Sequence, residues 1–471
     1  MVLGPSKETH EELEKLIRRQ KEGVELWLKR SGSLPLNLSF EASNAFCIHA
    51  LYLDPLPFDD QPTDSRGETF RWMQMVARWE DPYFDFMQMI VTQSQRWRSL
   101  SLRSLPPPFF ESLRILNTVD LPLLETVCMY DRTALHNINN HSVQINASGL
   151  VDKPMDPDSP ILSVLQHSPA LRSLRIELQQ QSNLDNILLP WSRLTVIDIS
   201  FYGPVDGFHV LRRLSQLCPS AVKCSLEVEL DGETPSYSGF SGEWTHIREL
   251  KIIFQGYPGG AYDSEIRRTF DAITTPALVH LSVYITYGYH EDPNDADCAA
   301  AVENNVPFHS LIERSQSPLL TLDIQLLFGP KLLNTLNSLS GLRSLTLHPV
   351  TRRIHLEDTL VPYSSEVTMQ LETVLGALTP SQGLIACPSL EHIQLCLHPN
   401  HATSFWGLLD ARASCTGQLK TFTANFGQIA QADIDIVKSA QHKAESQELS
   451  VPIQWKFSRD AVGFYGCEHF W

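Results

Sequence analysis

The chain has no CxxC pair, no Walker A run, no G-x-G-x-x-G and no G-x-S-x-G. These gaps leave a zinc ribbon or redox motif, a phosphate-cradling loop and a hydrolase nucleophile elbow without support. The nearest approach to an elbow, Gly239-Phe-Ser241-Gly242-Glu, has its second glycine one place early. Long apolar runs are also missing, because no window reaches the roughly 18 residues that span a bilayer. The first 28 residues are charged from Lys7 onward and lack the apolar core of a signal peptide. The expected location is therefore cytoplasm or nucleus. Positive charge is scarce too: 37 Lys and Arg face 54 Asp and Glu, a net charge of −17. A surface this acidic repels phosphate backbones and anionic lipid, so neither nucleic acid nor membrane is an expected partner. The nine cysteines are dispersed and read as reduced, small apolar residues.

What the chain does have is one phrase that returns. An apolar residue, two variable ones, an apolar residue, one variable and a third apolar residue recur as L-x-x-L-x-L with substitutions. Copies begin at Trp97, Leu124, Leu171, Leu194, Ala221, Ile247, Leu278, Leu319, Leu342, Leu390 and Leu419. Six of the ten steps between these eleven starts fall in the range of roughly 20 to 29 residues of a leucine-rich repeat. Each phrase predicts a short strand with alternate residues inward, and each strand needs a neighbouring repeat to complete its ladder.

Between phrases lie segments with apolar residues near helical period, among them 161–165, 210–214, 332–336 and 367–378. A further helix is expected from Tyr262 to Ile273. Ser168-Pro169, Cys218-Pro219, Thr275-Pro276, Ser317-Pro318 and Cys387-Pro388 precede phrases, where proline stops a helix and favours extended entry. Strand then helix, repeated, predicts an α/β leucine-rich-repeat solenoid, with a curved parallel sheet on the concave side and helices on the convex side. The expected layout is an amphipathic capping helix over residues 1–30, the solenoid over 31–430 and a C-terminal cap or tail over 431–471. The capping helix opens on a capping-box match, Thr9-His-Glu-Glu12, and carries Leu13, Leu16, Ile17, Val24, Trp27 and Leu28 at helical spacing.

Three stretches carry a more specific resemblance: Leu26-Trp-Leu-Lys-Arg-Ser-Gly-Ser-Leu-Pro-Leu-Asn-Leu38, Ser94-Gln-Arg-Trp-Arg-Ser-Leu-Ser-Leu102 and Leu189-Pro-Trp-Ser-Arg-Leu-Thr195. With Leu217-Cys-Pro219 and Thr275-Pro-Ala-Leu278 they resemble the F-box and leucine-rich-repeat proteins abundant in mushroom-forming fungi. The likeness covers about residues 25–425, the repeat portion alone. In that family an F-box precedes the Trp-Leu phrase and docks onto the adaptor of a cullin-based ubiquitin ligase. Residues 1–23 lack its Leu-Pro opening and apolar helix pattern, so adaptor binding is expected only where an F-box lies upstream. The resemblance implies a non-catalytic substrate-recognition scaffold. The alternative is a free-standing interaction or inhibitory repeat scaffold unrelated to ubiquitination.

In this fold the residues flanking the central leucine of each strand form the usual binding surface. Carried over to this sequence, the candidate partner-binding residues are Tyr130, Arg175, Asp198, Lys223, Glu249, His280, Tyr284, Asp323, His348 and His392. Tyr130 and Tyr284 are the best anchors, since aromatic residues dominate interface energetics. No catalytic, cofactor or metal residue is assigned. Two clusters, His290-Glu-Asp292 with Asp295, Asp297 and Cys298, and Cys467-Glu-His469, have ligand-type residues without the helical or hairpin spacing that converges them. Gly256-Tyr-Pro-Gly-Gly260 reads as a turn.

Overall fold

A computed structural model describes residues 7–41, 85–103, 121–130, 164–179, 184–230, 242–256, 260–287, 306–325, 330–348, 386–397, 419–426 and 452–457. It also describes short pieces at 116, 374–376, 378–379, 408–409, 412, 438 and 442. The chain is a leucine-rich-repeat-like α/β solenoid: thirteen strands form one all-parallel sheet that is not closed into a barrel, with helices between them. Contacts divide it into two units, Met1–Tyr202 and Gly203–Trp471.

The first unit opens with α1 (Lys7–Ser31), followed by strands β1 (Leu36–Glu41), β2 (Trp97–Arg103), β3 (Thr126–Tyr130), β4 (Ser173–Gln179) and β5, which starts at Val196. Within α1, Leu28 is buried and Val24 half-buried, while Leu26 and Trp27 stay exposed. Arg96 fastens the entry to β1 by donating to Leu34 O at 3.0 Å and to Ser31 Oγ at 2.7 Å.

The second unit holds α2 (Gly207–Leu217), β6 (Lys223–Glu229), β7 (Gly242–Glu243), β8 (Glu249–Gly256), α3 (Gly260–Asp271), β9 (Ile273–Thr274) and β10 (His280–Tyr287). There follow α4 (His309–Ser315), β11 (Thr321–Gln325), α5 (Pro330–Ser338), β12 (Ser344–His348), β13 (His392–Leu397), β14 (Thr421–Phe426) and β15 (Ile453–Phe457). The expected helix ends at Asp271 rather than Ile273, because Ile273 joins β9, which pairs with β7 in a separate two-stranded ladder. Strands β1 and β15 belong to none of the eleven phrases, and β15 falls in the segment expected to be a cap or tail.

Burial explains the phrase. The three patterned apolar residues of all eleven copies are at most 5% exposed, so each phrase contributes three side chains to the core. At about 1.5–3 kcal/mol for each fully buried large apolar side chain, this stripe is the main source of stability. The register adds order: position for position, successive phrases stand side by side, as in Leu250↔Leu281↔Leu322↔Leu345↔Ile393↔Phe422.

One backbone bond sets that register. The carbonyl of the first variable residue accepts two N–H groups from the next repeat. Arg248 O takes Val279 and His280, both at 2.9 Å; Val279 O takes Leu320 and Thr321; Leu320 O takes Arg343 and Ser344; Arg343 O takes Glu391 and His392. In the first unit Glu125 O takes Arg172 and Ser173, and Arg172 O takes Thr195 and Val196.

The proline punctuation has a more particular role than stopping a helix. The N–H of the first phrase residue donates three residues back, Leu171 to Ser168 O, Ala221 to Cys218 O, Leu278 to Thr275 O and Leu390 to Cys387 O. Proline therefore sits at the second position of a four-residue turn, where its fixed φ suits the geometry. At Ser317-Pro318 the turn is one residue tighter, with Leu319 N donating to Ser317 O at 2.9 Å.

On the helical side, Asp206 caps α2 by accepting from Phe208 N and His209 N. Gly207 is needed for contact with α3, since a Cβ there would lie 2.7 Å from Thr269 Oγ1. Phe254, Phe270 and Phe308, all fully buried, meet edge to face beneath α3 and α4. Arg314 of α4 reaches Asp271 at 2.7 Å and two backbone carbonyls of the preceding helix and strand. Arg412, fully buried, donates to Leu378 O at 2.8 Å, Cys387 O at 3.0 Å and Ala386 O at 2.5 Å.

Arg412→Met removes that fork while keeping most of its apolar volume. It should cost about 3 kcal/mol, since three buried carbonyls lose charge-assisted donors. Equilibrium urea unfolding measures it, and a loss below about 1 kcal/mol would mean that the carbonyls find other donors.

Burial pushes the Cys218 thiol, and that of Cys387 against a smaller opposing pull from Arg412, from an ordinary 9.0 up to about 12. Both contribute stability that is complete below the unfolded thiol's value and is lost as pH rises from there toward the folded one. Iodoacetamide at mildly alkaline pH should therefore leave both unlabelled in the folded chain and label both in urea, as read by mass spectrometry. Rapid native labelling of either would contradict its burial.

Candidate functional site

Alternation along each strand sends one set of side chains into the core and the other to the opposite, open face. In the second unit β6 presents Lys223, Ser225 and Glu227 there; β8 presents Glu249, Lys251, Ile253 and Gln255; β10 presents His280, Ser282 and Tyr284. Strand β11 adds Thr321, Asp323 and Gln325, β12 adds Ser344, Thr346 and His348, and β13 adds His392 and Gln394.

Three of the expected residues meet in one network. Tyr284 and His348 are two strands apart, and Asp323, on the strand between them, stands one rung below. The Tyr284 phenol donates to Asp323 Oδ2 at 2.5 Å. His348 Nε2 lies 3.1 Å from Asp323 Oδ1, an ion-pair separation without hydrogen-bond alignment. The Tyr284 and His348 rings are 6.0 Å apart, and the Lys251 ammonium sits over the Tyr284 ring at 5.3 Å. Four strands thus fix one aromatic ring from three sides. The side chains of Asp323 and His348 retain about a quarter and a sixth of their exposure, so the network is largely shielded from water.

The remaining expected residues form pairs or stand apart. Lys223 and Glu249, register neighbours, are 3.0 Å apart. His280 lies beside Glu249 and Thr321 in register and is exposed. His392 Nδ1 lies 2.7 Å from Thr421 Oγ1. In the first unit Arg175 is 3.1 Å from Asp198, its register neighbour. Tyr130 closes β3 by its backbone, and its side chain lies outside the described residues, as do His290–Cys298, Ser241 and Cys467–His469.

Two features of this face are absent from the expected set. Gln255 Nε2 donates to Glu227 Oε1 at 2.5 Å, beside Ile253, which stands apolar in an otherwise polar row. The first variable residue of five phrases also carries charge ladders: Arg98 with Glu125 at 2.9 Å, and Glu391 with Lys420 at 2.6 Å and Arg343 at 3.9 Å. The hydrogen bond from Lys420, helped by Arg343 and His392, holds the Glu391 carboxyl below its usual range. The signal for these ladders was opposite charge at one phrase position in successive copies.

No model of a known family matches the chain, and no curated protein does. Among the described residues no group of three or more His, Cys, Asp and Glu could hold a metal ion. Glu313, His309 and Thr335 line up in the order of a nucleophile triad, at 3.0 Å for each contact. Thr335 is 1% exposed, so no substrate reaches its hydroxyl. The open face offers a rigid patterned surface.

Tyr284→Phe and Asp323→Asn should each lower stability by about 1 kcal/mol, a hydrogen bond to a charged group discounted for partial exposure. The double variant should lose less than the sum, because one interaction is removed twice. Thermal or urea melts of the four proteins give the coupling; additive losses would mean that the phenol and carboxylate do not depend on each other.

Proposed function

We propose that this chain is a non-catalytic protein-binding scaffold whose partner sits on the open face of the sheet. The observation that supports it most is the Tyr284, Asp323, His348 and Lys251 network, an aromatic ring held rigid at the middle of a repetitive polar surface. Pre-ordered aromatic groups lose little entropy on binding and dominate protein interfaces. The ion pairs around it sit between neighbouring strands, so they orient their own side chains and leave no isolated charge to desolvate. The F-box and leucine-rich-repeat resemblance makes this the substrate-recognition part of a ubiquitin-ligase subunit, acting in cytoplasm or nucleus. Among the described residues no helix is long and apolar enough to cross a membrane.

A photo-crosslinking amino acid placed at Gln325, on the open face, should capture a discrete protein in cells, whereas one at Asn337 on α5 should not. Capture from both positions alike would argue against the open face as the binding surface. Ligase adaptor in the Gln325 complex supports the ubiquitin role, expected when an F-box is joined upstream. Its absence even then favours the free-standing scaffold.

A further inference from the structure

We infer that the rim where the strands of the second unit begin is a further docking surface, and that it takes an extended acidic segment of a partner protein, with two carboxylates four residues apart and an apolar side chain midway. This surface is separate from the open face and does not depend on it. The residues just before β8, β10, β11, β12, β13 and β14 are Arg248, Val279, Leu320, Arg343, Glu391 and Lys420. Each after Arg248 gives its N–H to the carbonyl of its predecessor, from Val279 N to Arg248 O at 2.9 Å through to Lys420 N to Glu391 O at 2.7 Å, so the six stand level in one row. Equivalent backbone positions put their side chains on one side of the row, where Glu391 meets both Arg343 and Lys420.

Along that row the charges are not matched. Glu391 bonds Lys420 at 2.6 Å and stands only within ion-pair range of Arg343, at 3.9 Å. Arg248 is exposed between Val222 and Val279, and among the described residues its guanidinium has neither ion pair nor hydrogen bond. The next residue, Glu249, is held by Lys223 at 3.0 Å. Three cations in the row therefore face one carboxylate, and each guanidinium offers the planar fork of donors that suits a carboxylate. Between the arginines Val279 and Leu320 are half-buried and leave apolar surface at the rim. Spacing decides the ligand. Neighbouring strands lie about 4.8 Å apart, so three rungs separate the backbones of Arg248 and Arg343 by about 14 Å, and an extended chain covers about 13 Å in four residues. Its alternate side chains point one way, which sets two carboxylates on the arginines and one apolar group on Val279 and Leu320. The chain's net charge of −17 opposes an acidic partner at long range, but 0.1 M salt screens that repulsion beyond about 10 Å and leaves the close contacts.

The test is selection of peptides from an unbiased display library on the full chain, keeping those that lose binding to Arg248→Ala. Arg248 and Arg343 are exposed, so thermal melts of their alanine variants should match the parent and separate a lost contact from lost folding. The retained peptides should carry Asp or Glu four residues apart with an apolar residue between them. Their affinity, read by fluorescence anisotropy, should fall about tenfold in Arg343→Ala, the loss of one charge-assisted pair. Val279→Thr, which keeps the shape but not the apolar surface, should weaken them by a smaller factor, and Arg98→Ala, at the same phrase position in the first unit, should leave them unchanged. Retained peptides that are basic or uncharged, or whose acidic residues have no fixed spacing, would overturn the inference. An empty retained set would overturn it as well, and neither result bears on the open face as a binding surface.

Discussion

A carbonyl that accepts two amide protons from the next repeat is the constraint on which this protein is built. It lies just before each strand, at the first variable residue of the phrase, and recurs from Arg248 through Val279, Leu320 and Arg343 to Glu391. Because both donors come from equivalent places in the following copy, the phrases align with no offset. A slip of one residue would turn every buried leucine to the open face and every polar residue into the core. The register also decides which open-face side chains meet, so Tyr284, Asp323 and His348 come together only because β10, β11 and β12 start level.

The eleven phrases were readable because burial acts on every apolar position in them. All of those side chains are essentially buried, and the demand shows as a repeating pattern even where the steps between copies vary. Strands β1 and β15 were harder to see. Leu36-Asn-Leu-Ser-Phe lacks the leading half of the phrase, and Ile453-Gln-Trp-Lys-Phe alternates with polar residues and has no leucine to mark it. The proline dipeptides were visible as punctuation, but their turn depends on a backbone bond from the first phrase residue. A carbonyl leaves no trace in residue identity.

The site was legible to a lesser degree, for a related reason. Position in the phrase is enough to put Tyr284, Asp323 and His348 on one face, and to pair Arg175 with Asp198 and Lys223 with Glu249. It does not say that the long Tyr284 and His348 side chains close over the shorter Asp323 one rung below. That diagonal contact depends on the spacing of parallel strands and on side-chain length. Ile253 was passed over for the opposite reason: an isoleucine two places after a lysine reads as one more strand residue until its neighbours are known to be Glu227 and Tyr284.

A repetitive face has an intrinsic difficulty with specificity, since each rung resembles the next and a partner could bind in several registers. Charge ladders alone do not solve it: Lys223 with Glu249, Arg343 with Glu391 and Lys420 with Glu391 are local, partly exposed pairs of the kind that contribute little each. A unique rung does solve it. Between β8 and β12 the polar pattern is broken by one isoleucine and one tyrosine in adjacent strands, and the tyrosine is held by contacts from both sides. A ring free to turn could follow a partner shifted by one strand, whereas a ring fixed by Asp323 and covered by Lys251 offers one place and one orientation. In the proposed binding role, the network that shields Tyr284 from water therefore also sets where on the array a partner is read.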